Sequence, residues 1–320
     1  MNGARFTGKI AALCGGVGGA KLALGLSHLL EPDQLSIIVN TGDDFEHFGL
    51  AISPDIDTVI YTLSGEVNPE TGWGRKDETW RFMEALTRLG GETWFNLGDT
   101  DLATHAFRTG RLAGGAGLTD VTREIARAMG IKVAILPATD DPIRTVVETD
   151  EGALPFQRYF VGRQCQPAVR SLRYENARNT RPTPQVVAAL EAPDLAAIVI
   201  CPSNPFLSVE PILAIPGIRE RIEARDVPVI AISPIIAGQS IKGPLGKMMG
   251  EFGMASDVAS IADHYRGLVD ILVVDEADRE AVFDGTKKRV TKTLMKTLDD
   301  RIALADFVLR TAIDAKGDTK

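Results

Sequence analysis

Glycines and carboxylates crowd the first third of this chain in an order that suits phosphate chemistry. Gly15-Gly16-Val17-Gly18-Gly19-Ala20-Lys21 follows an apolar run over 10–14 and precedes a helical pattern over 22–30. A strand that runs through glycines into a helix start offers bare backbone N–H groups and the positive end of a helix dipole to an anion. The turn lacks the Gly-Lys-Ser/Thr of a Walker A loop, and Lys21 stands where a dinucleotide fingerprint has its third glycine. It reads as a phosphate cradle of another kind, with tight strand-to-helix packing as the competing explanation of the glycines.

Asp43-Asp44 and Asp55-Ile56-Asp57 add four carboxylates within fifteen positions. Hard oxygen donors of this kind suit Mg²⁺, which is commonly held by one or two carboxylates plus substrate phosphates. Asp55 follows Ser53-Pro54 and fits a helix cap as well as a ligand, so Asp57, deeper in the first turn, is the expected ligand of that pair. A second acidic motif, Leu97-Gly98-Asp99-Thr100-Asp101-Leu102-Ala103-Thr104-His105, opens a helix that carries Asp101, His105 and Arg108 at helical spacing. That face could grip a polyhydroxylated substrate, or it could be a solvated surface. Asn204, in Pro202-Ser203-Asn204-Pro205, is placed to bond a base or a phosphate, Ser233-Pro234 closes the next apolar run in the same way, and Lys242 supplies a cation for a diphosphate. Trp73, between Gly72 and Gly74, offers an aromatic face for a planar ring.

These residues need elements to position them. Val- and Ile-rich runs recur over 10–14, 35–39, 133–136, 197–201, 227–232 and 271–274, many of them separated by helical spacing. Continuous apolar runs suit strands of a parallel sheet covered on both faces, so the fold class is α/β. Ligands of open α/β sheets bind beyond the carboxyl ends of the strands, where the glycine turn, Asn40 to Asp44, Pro137 to Asp141, Pro202 to Pro205 and Ser233 to Gly238 all fall. Residues 50–130 are too long for a simple crossover and read as a mostly helical insertion forming one wall of a cleft, with 1–49 and 131–320 as the nucleotide-binding core. A hairpin is expected over 142–162, an exposed connection over 170–184 and a last helix near 299–315.

Bulk properties exclude several classes. The 320 residues are 44% hydrophobic, enough for a substantial core, and a net charge of −8 disfavours nucleic acid or an anionic membrane surface. A small-molecule partner is expected instead. Cys14, Cys165 and Cys201 are widely separated, which gives neither a disulfide framework nor a zinc site. No secretory signal and no spanning apolar stretch are visible, so a cytoplasmic location is expected.

Taken together, GGVGGAK at 15–21, VNTGDD at 39–44, ISPDIDTVIY at 52–61, LGDTDLATH at 97–105, LPATDD at 136–141, CPSNP at 201–205 and SPIIAGQSIK at 233–242 resemble the 2-phospho-L-lactate transferase family of coenzyme F420 biosynthesis. The resemblance implies a Rossmann-like core, Mg²⁺ dependence and a homodimer. It also implies transfer of a 2-phospholactyl-type group, phospholactyl or phosphoenolpyruvyl, from a guanosine diphosphate adduct to the deazaflavin Fo, with release of GMP. On that pattern Asp43 and Asp57 are catalytic and hold the metal, while Gly15, Gly16, Gly18, Gly19, Lys21, Asn40, Ser203, Asn204, Ser233 and Lys242 hold the nucleotide. Asp57, Asn96, Asp99, Thr104 and His105 face Fo. Many members carry basic residues where this chain has Asn96 and Thr100. Two other readings compete: a nucleotide-sugar-binding regulator of a related branch, and an NAD(P)-dependent oxidoreductase, against which the missing third glycine speaks.

Overall fold

The computed structural model describes residues 6–241 and 243–317; the Lys242 of the expected nucleotide site lies outside them. Seven strands form the central sheet: β1 (Lys9–Cys14), β2 (Leu35–Val39), β3 (Ala134–Pro137), β4 (Leu195–Ile200), β5 (Val229–Ile232), β6 (Ile271–Val274) and β7 (Lys287–Val290). They lie in the order β3-β2-β1-β4-β5-β6-β7, and every neighbouring pair is parallel. This is the doubly wound Rossmann order with one strand added at the far edge. The chain builds outward from β1 to β3 and then returns to the other side of β1 for β4, which makes the crevice between the ends of β1 and β4 the topological switch point.

Burial on both faces explains the continuous apolar runs. Ile10, Ala12 and Cys14 of β1 join one buried cluster, whereas Ala11 and Leu13 join another. The first cluster is covered by helix α1 (Gly16–Leu29), α2 (Pro54–Ser64), α5 (Leu118–Ala128) and the last helix, Leu298–Gly317. The second is covered by short helices that include Pro184–Leu190, Ile218–Glu223, Leu245–Glu251 and Val258–His264. A three-layer α/β sandwich results.

Helix α2 begins with Pro54 in its first turn and ends at Gly65, whose φ of 75° is left-handed. Between α2 and α5 the insertion holds α3 (Arg81–Arg88) and α4 (Asp99–Ala113), resting partly on a small cluster of Ile52, Met83 and Leu97. The segment 50–130 is thus mostly helical, yet Ile56, Val59 and Ile60 of α2 and Val121 and Ile125 of α5 belong to the core cluster itself.

One expectation fails here, and one strand lies outside the apolar runs. The stretch read as an exposed connection contains a strand, Val169–Glu175, which pairs antiparallel with Arg144–Thr149 beside the expected hairpin partner Gly152–Pro155. Its Leu172 and Tyr174 pack against the core while Ser171, Arg173 and Glu175, alternating with them, face solvent. Strand β7, Lys-Lys-Arg-Val, carries no apolar run because it is an edge strand with no fully buried residue, unlike β3 at the other edge.

Candidate active site

At the switch point the glycine turn meets the chain after β4. Ser203 Oγ donates to Gly15 O at 2.8 Å and accepts Gly15 N at 3.1 Å, which ties the two strand ends together. A Cβ at Gly18 would lie 2.3 Å from Pro202 O, so only glycine lets α1 approach that closely. Gly15 and Gly19 are buried, and Gly16, with φ of 63°, carries the backbone into the helix facing the cleft. Packing therefore accounts for some of these glycines, and the helix N-terminus still points at open space.

The carboxylates divide into two groups. In the first, Asn40 Nδ2 donates to Asp43 Oδ1 at 3.0 Å and to Asp55 Oδ2 at 2.9 Å. The other oxygen of Asp55 accepts Gly16 N at 2.7 Å. Asn40 is itself fixed, because its Oδ1 accepts Gly42 N at 2.8 Å. Burial raises the proton affinity of Asp55 to a pKa of about 6 despite its hydrogen bonds to Asn40 and Gly16. Asp43 is pushed well above the usual carboxylate range by burial and then by the charge of Asp55. Asp44 is raised by burial to about 7, with Ser53 Oγ donating to it at 2.8 Å.

Asp57 belongs to the second group. Both of its oxygens pair with Arg108, whose side chain is fully buried, and His105 Nδ1 lies 3.8 Å from Asp57 Oδ2. His105 Nε2 lies 3.3 Å from Asp101 Oδ2, and Tyr61 OH donates to Asp101 Oδ1. Burial opposes the ionisation of Asp101, but His105, Tyr61 and Arg108 outweigh it and its pKa is lowered. The α4 face read as a grip for substrate is turned inward against α2, with Arg108 under Asp57.

A cleft of about 440 Å³ joins the two groups. Of the expected residues, Gly15, Gly16, Gly18, Lys21, Asp43, Asp57, Asn96, His105, Ser203, Asn204 and Ser233 line it. Lys21 Nζ donates to Met295 O at 3.0 Å. Asn204 Oδ1 accepts Phe206 N and Leu207 N, which leaves its amide N–H groups as the atoms free for a ligand. Ser233 Oγ is engaged with Ile235 in its own turn. Gly19 and Asn40 lie behind the lining, and Thr104 is buried against Tyr61. Asp99 is placed elsewhere: its carboxylate accepts Thr79 OH and the backbone N–H groups of Arg81 and Phe82, and so caps α3.

Asp55 is the residue that sequence reasoning undervalued. Its position after Ser53-Pro54 suggested a cap on its own helix, but it caps α1 instead, thirty-nine residues away. The wall of the cleft also contains Trp73, 55% exposed, together with Phe95, Phe156 and Phe160.

A doubly wound sheet with a polar cleft at its switch point, glycines at a helix start and paired acids beside them define a Rossmann-like α/β protein. Within that class the assignment is specific: the family model for 2-phospho-L-lactate transferase CofD matches residues 10–304, so this chain belongs to the 2-phospho-L-lactate transferase family and is a transferase. It is 42% identical to a 2-phospho-L-lactate transferase of Methanopyrus kandleri over 94% of this chain and 97% of the relative. A phosphoenolpyruvate transferase of Streptomyces griseus is 39% identical, over 96% and 99%, and a 2-phospho-L-lactate transferase of Methanosarcina mazei 37%, over 92% and 98%. Among solved structures, the Bacillus halodurans protein BH3568, a UPF0052 family member, superposes with TM-scores of 0.63 and 0.64 in two structures, covering 95% of this chain and 99% of that one. At 18% and 17% identity that likeness shows the fold alone. No described helix is long and apolar enough to cross a membrane.

Proposed function

We propose that the cleft transfers a 2-phospholactyl-type group, phospholactyl or phosphoenolpyruvyl, from a guanosine diphosphate adduct to the terminal ribityl hydroxyl of the deazaflavin Fo, releasing GMP, with a homodimer as the working assembly. The observation that carries this reading is the Asp43–Asn40–Asp55 arrangement set against the N-terminus of α1, with a second, acceptor-facing carboxylate, Asp57, across the same cleft.

Mg²⁺ fits the first group. Asp43 and Asp55 are buried, held to one amide and raised in proton affinity, and Asp44 Oδ1 and Thr41 Oγ1 beside them are buried without a hydrogen-bond partner. Among the described residues no three metal-binding side chains converge into a ready-made cage, which suits an ion whose remaining ligands are phosphate and water. Asp43 and Asp55 would hold it, in place of the Asp43 and Asp57 expected from the sequence, because the charge of Asp57 is already balanced by Arg108. Bound there, Mg²⁺ would neutralise the charge that builds on the diphosphate oxygens.

The protein's own residues supply positioning and electrostatics. The α1 N-terminus and Lys21 face the diphosphate, and the amide N–H groups of Asn204 face the base. The hydroxyl oxygen of Fo forms the new bond to the phosphorus that carries the acid. The bond from that phosphorus to the bridging oxygen breaks, and its electron pair leaves with GMP. The hydroxyl proton passes to Asp57 and on to solvent, late in a loose transition state.

Incubation of the protein with Fo, Mg²⁺ and either guanylated phospholactate or guanylated phosphoenolpyruvate tests this. Mass spectrometry should find Fo extended by the phospho-acid together with an equal amount of GMP. Unchanged Fo with both donors would remove the proposal.

A further inference from the structure

Arg108 is a charged side chain with no exposure at all, on α4 behind the cleft-lining Asp57 and His105. Its two terminal nitrogens engage the two oxygens of Asp57, and Nη1 also reaches Ala51 O at 3.3 Å and His105 Nδ1 at 3.3 Å. A guanidinium has only donors, so any hydrogen bond between the two runs from Nη1, whose two N–H groups serve three acceptors, to His105 Nδ1, while His105 Nε2 faces Asp101. Asp101 is fixed in turn by Tyr61. Arg108 therefore orients two of the side chains that line the cleft, Asp57 and His105, while touching none of the space a substrate could occupy.

We infer that Arg108 is a positioning residue of the transfer reaction: it holds Asp57 in the one orientation that accepts the attacking hydroxyl. This inference rests on the transferase reading above. Each Asp57 oxygen bonded to Arg108 keeps a second lone pair, so the clamp leaves an acceptor position for the substrate. The forked guanidinium fixes both oxygens at once, which a lysine ammonium cannot do. Arg108 acts on the acceptor alone, since its hydrogen-bond partners are Ala51, Asp57 and His105 and none of the groups assigned to the donor.

The test is a double-mutant cycle on the full-length protein with Fo and the guanylated donor, reading kcat, the KM for Fo, thermal melting and GMP binding by calorimetry. R108M should lower kcat about a hundredfold, the scale of a misplacement of about 1 Å at a reacting group, and leave GMP affinity within about twofold. R108K should recover part of the lost kcat. D57N should lose at least as much as R108M, and R108M placed in the D57N background should lose no more, because Arg108 works through a carboxylate already removed. D57N/R108M carries no unpaired buried charge, so it remains a folded comparison even if R108M alone melts. Losses that multiply in the double variant, or GMP affinity that falls along with kcat, would reduce Arg108 to a structural support and overturn the inference while the transferase reading stands. A wild-type protein that forms no extended Fo overturns both.

Discussion

The carboxylate of Asp55 accepts the backbone N–H of Gly16 at 2.7 Å, at the positive end of α1. It therefore stands where the glycine turn would otherwise present its first helix amide to an anion. A diphosphate bound there as proposed would meet a negative charge at that point, and a cation between the two would reconcile them. Cation and phosphorylated donor are thus expected to bind together, each improving the site for the other.

Asn40 is the residue that keeps Asp43 and Asp55 side by side. Asn40→Ala removes this shared donor without touching either carboxylate. Magnesium affinity, read by titration in the presence of GMP, should fall roughly 10–100-fold, as it does when a partner behind a metal ligand is lost. An unchanged affinity would show that the two carboxylates hold their places without it.

The raised pKa values of Asp43, Asp44 and Asp55 predict opposite pH trends with and without the cation. An acid whose folded pKa lies above its unfolded one binds more protons when folded. Its contribution to stability is complete at low pH and declines as pH rises through the ordinary carboxylate range toward 6 and 7, the values reached by Asp55 and Asp44. Metal ligands must be deprotonated, so magnesium should raise the melting temperature more at about pH 8 than at about pH 5. Differential scanning fluorimetry across that range checks it, and a magnesium effect that shrinks with rising pH would count against the site.

Gly18→Ala should separate α1 from the end of β4. The added Cβ would sit 2.3 Å from Pro202 O, a backbone atom that cannot swing away. Overpacking of this kind costs about 1–3 kcal/mol. Thermal melting should report that loss, and GMP binding should weaken beyond it because Ser203 and Asn204 move with Pro202.

Trp73 stands on a loop fixed at its base, where Val67 and Arg75 bridge, Asn68 N donates to Gly74 O and Arg75 pairs with Glu66. An aromatic face stacked on a planar ring contributes about 1–3 kcal/mol when judged by alanine substitution. Trp73→Ala should raise the KM for Fo about 5–150-fold on that scale, with Trp73→Phe intermediate and the donor KM unchanged. Equal KM values for all three proteins would place Trp73 outside the acceptor site.

Much of this site is legible in the residue order alone. Six of the seven central strands announce themselves as apolar runs because parallel strands are buried on both faces, and the polar segments after them share one rim, although Pro137 to Asp141 stays outside the cleft, where Asp140 accepts Thr119 N at the start of α5. Edge strand β7 stays hidden because none of its residues is fully buried, whereas β3, at the other edge, is largely covered and keeps its apolar run. The partners of the acids stay hidden for a different reason. Asp55 and Asp57 are two positions apart in one helical turn, and nothing local says that one turns to Gly16 and the other to Arg108, fifty-one residues further on. Helical spacing correctly groups Asp101, His105 and Arg108, but spacing does not tell an inward face from an outward one when the inward face is polar.

The clasp between Gly15 and Ser203 spans 188 residues of chain. During synthesis the glycine turn emerges early and waits, lacking one side of its crevice, until β4 and the corner after it have left the ribosome. If the cleft takes a guanine nucleotide as proposed, any product truncated before that corner should be unable to retain it, however well its first strands are formed.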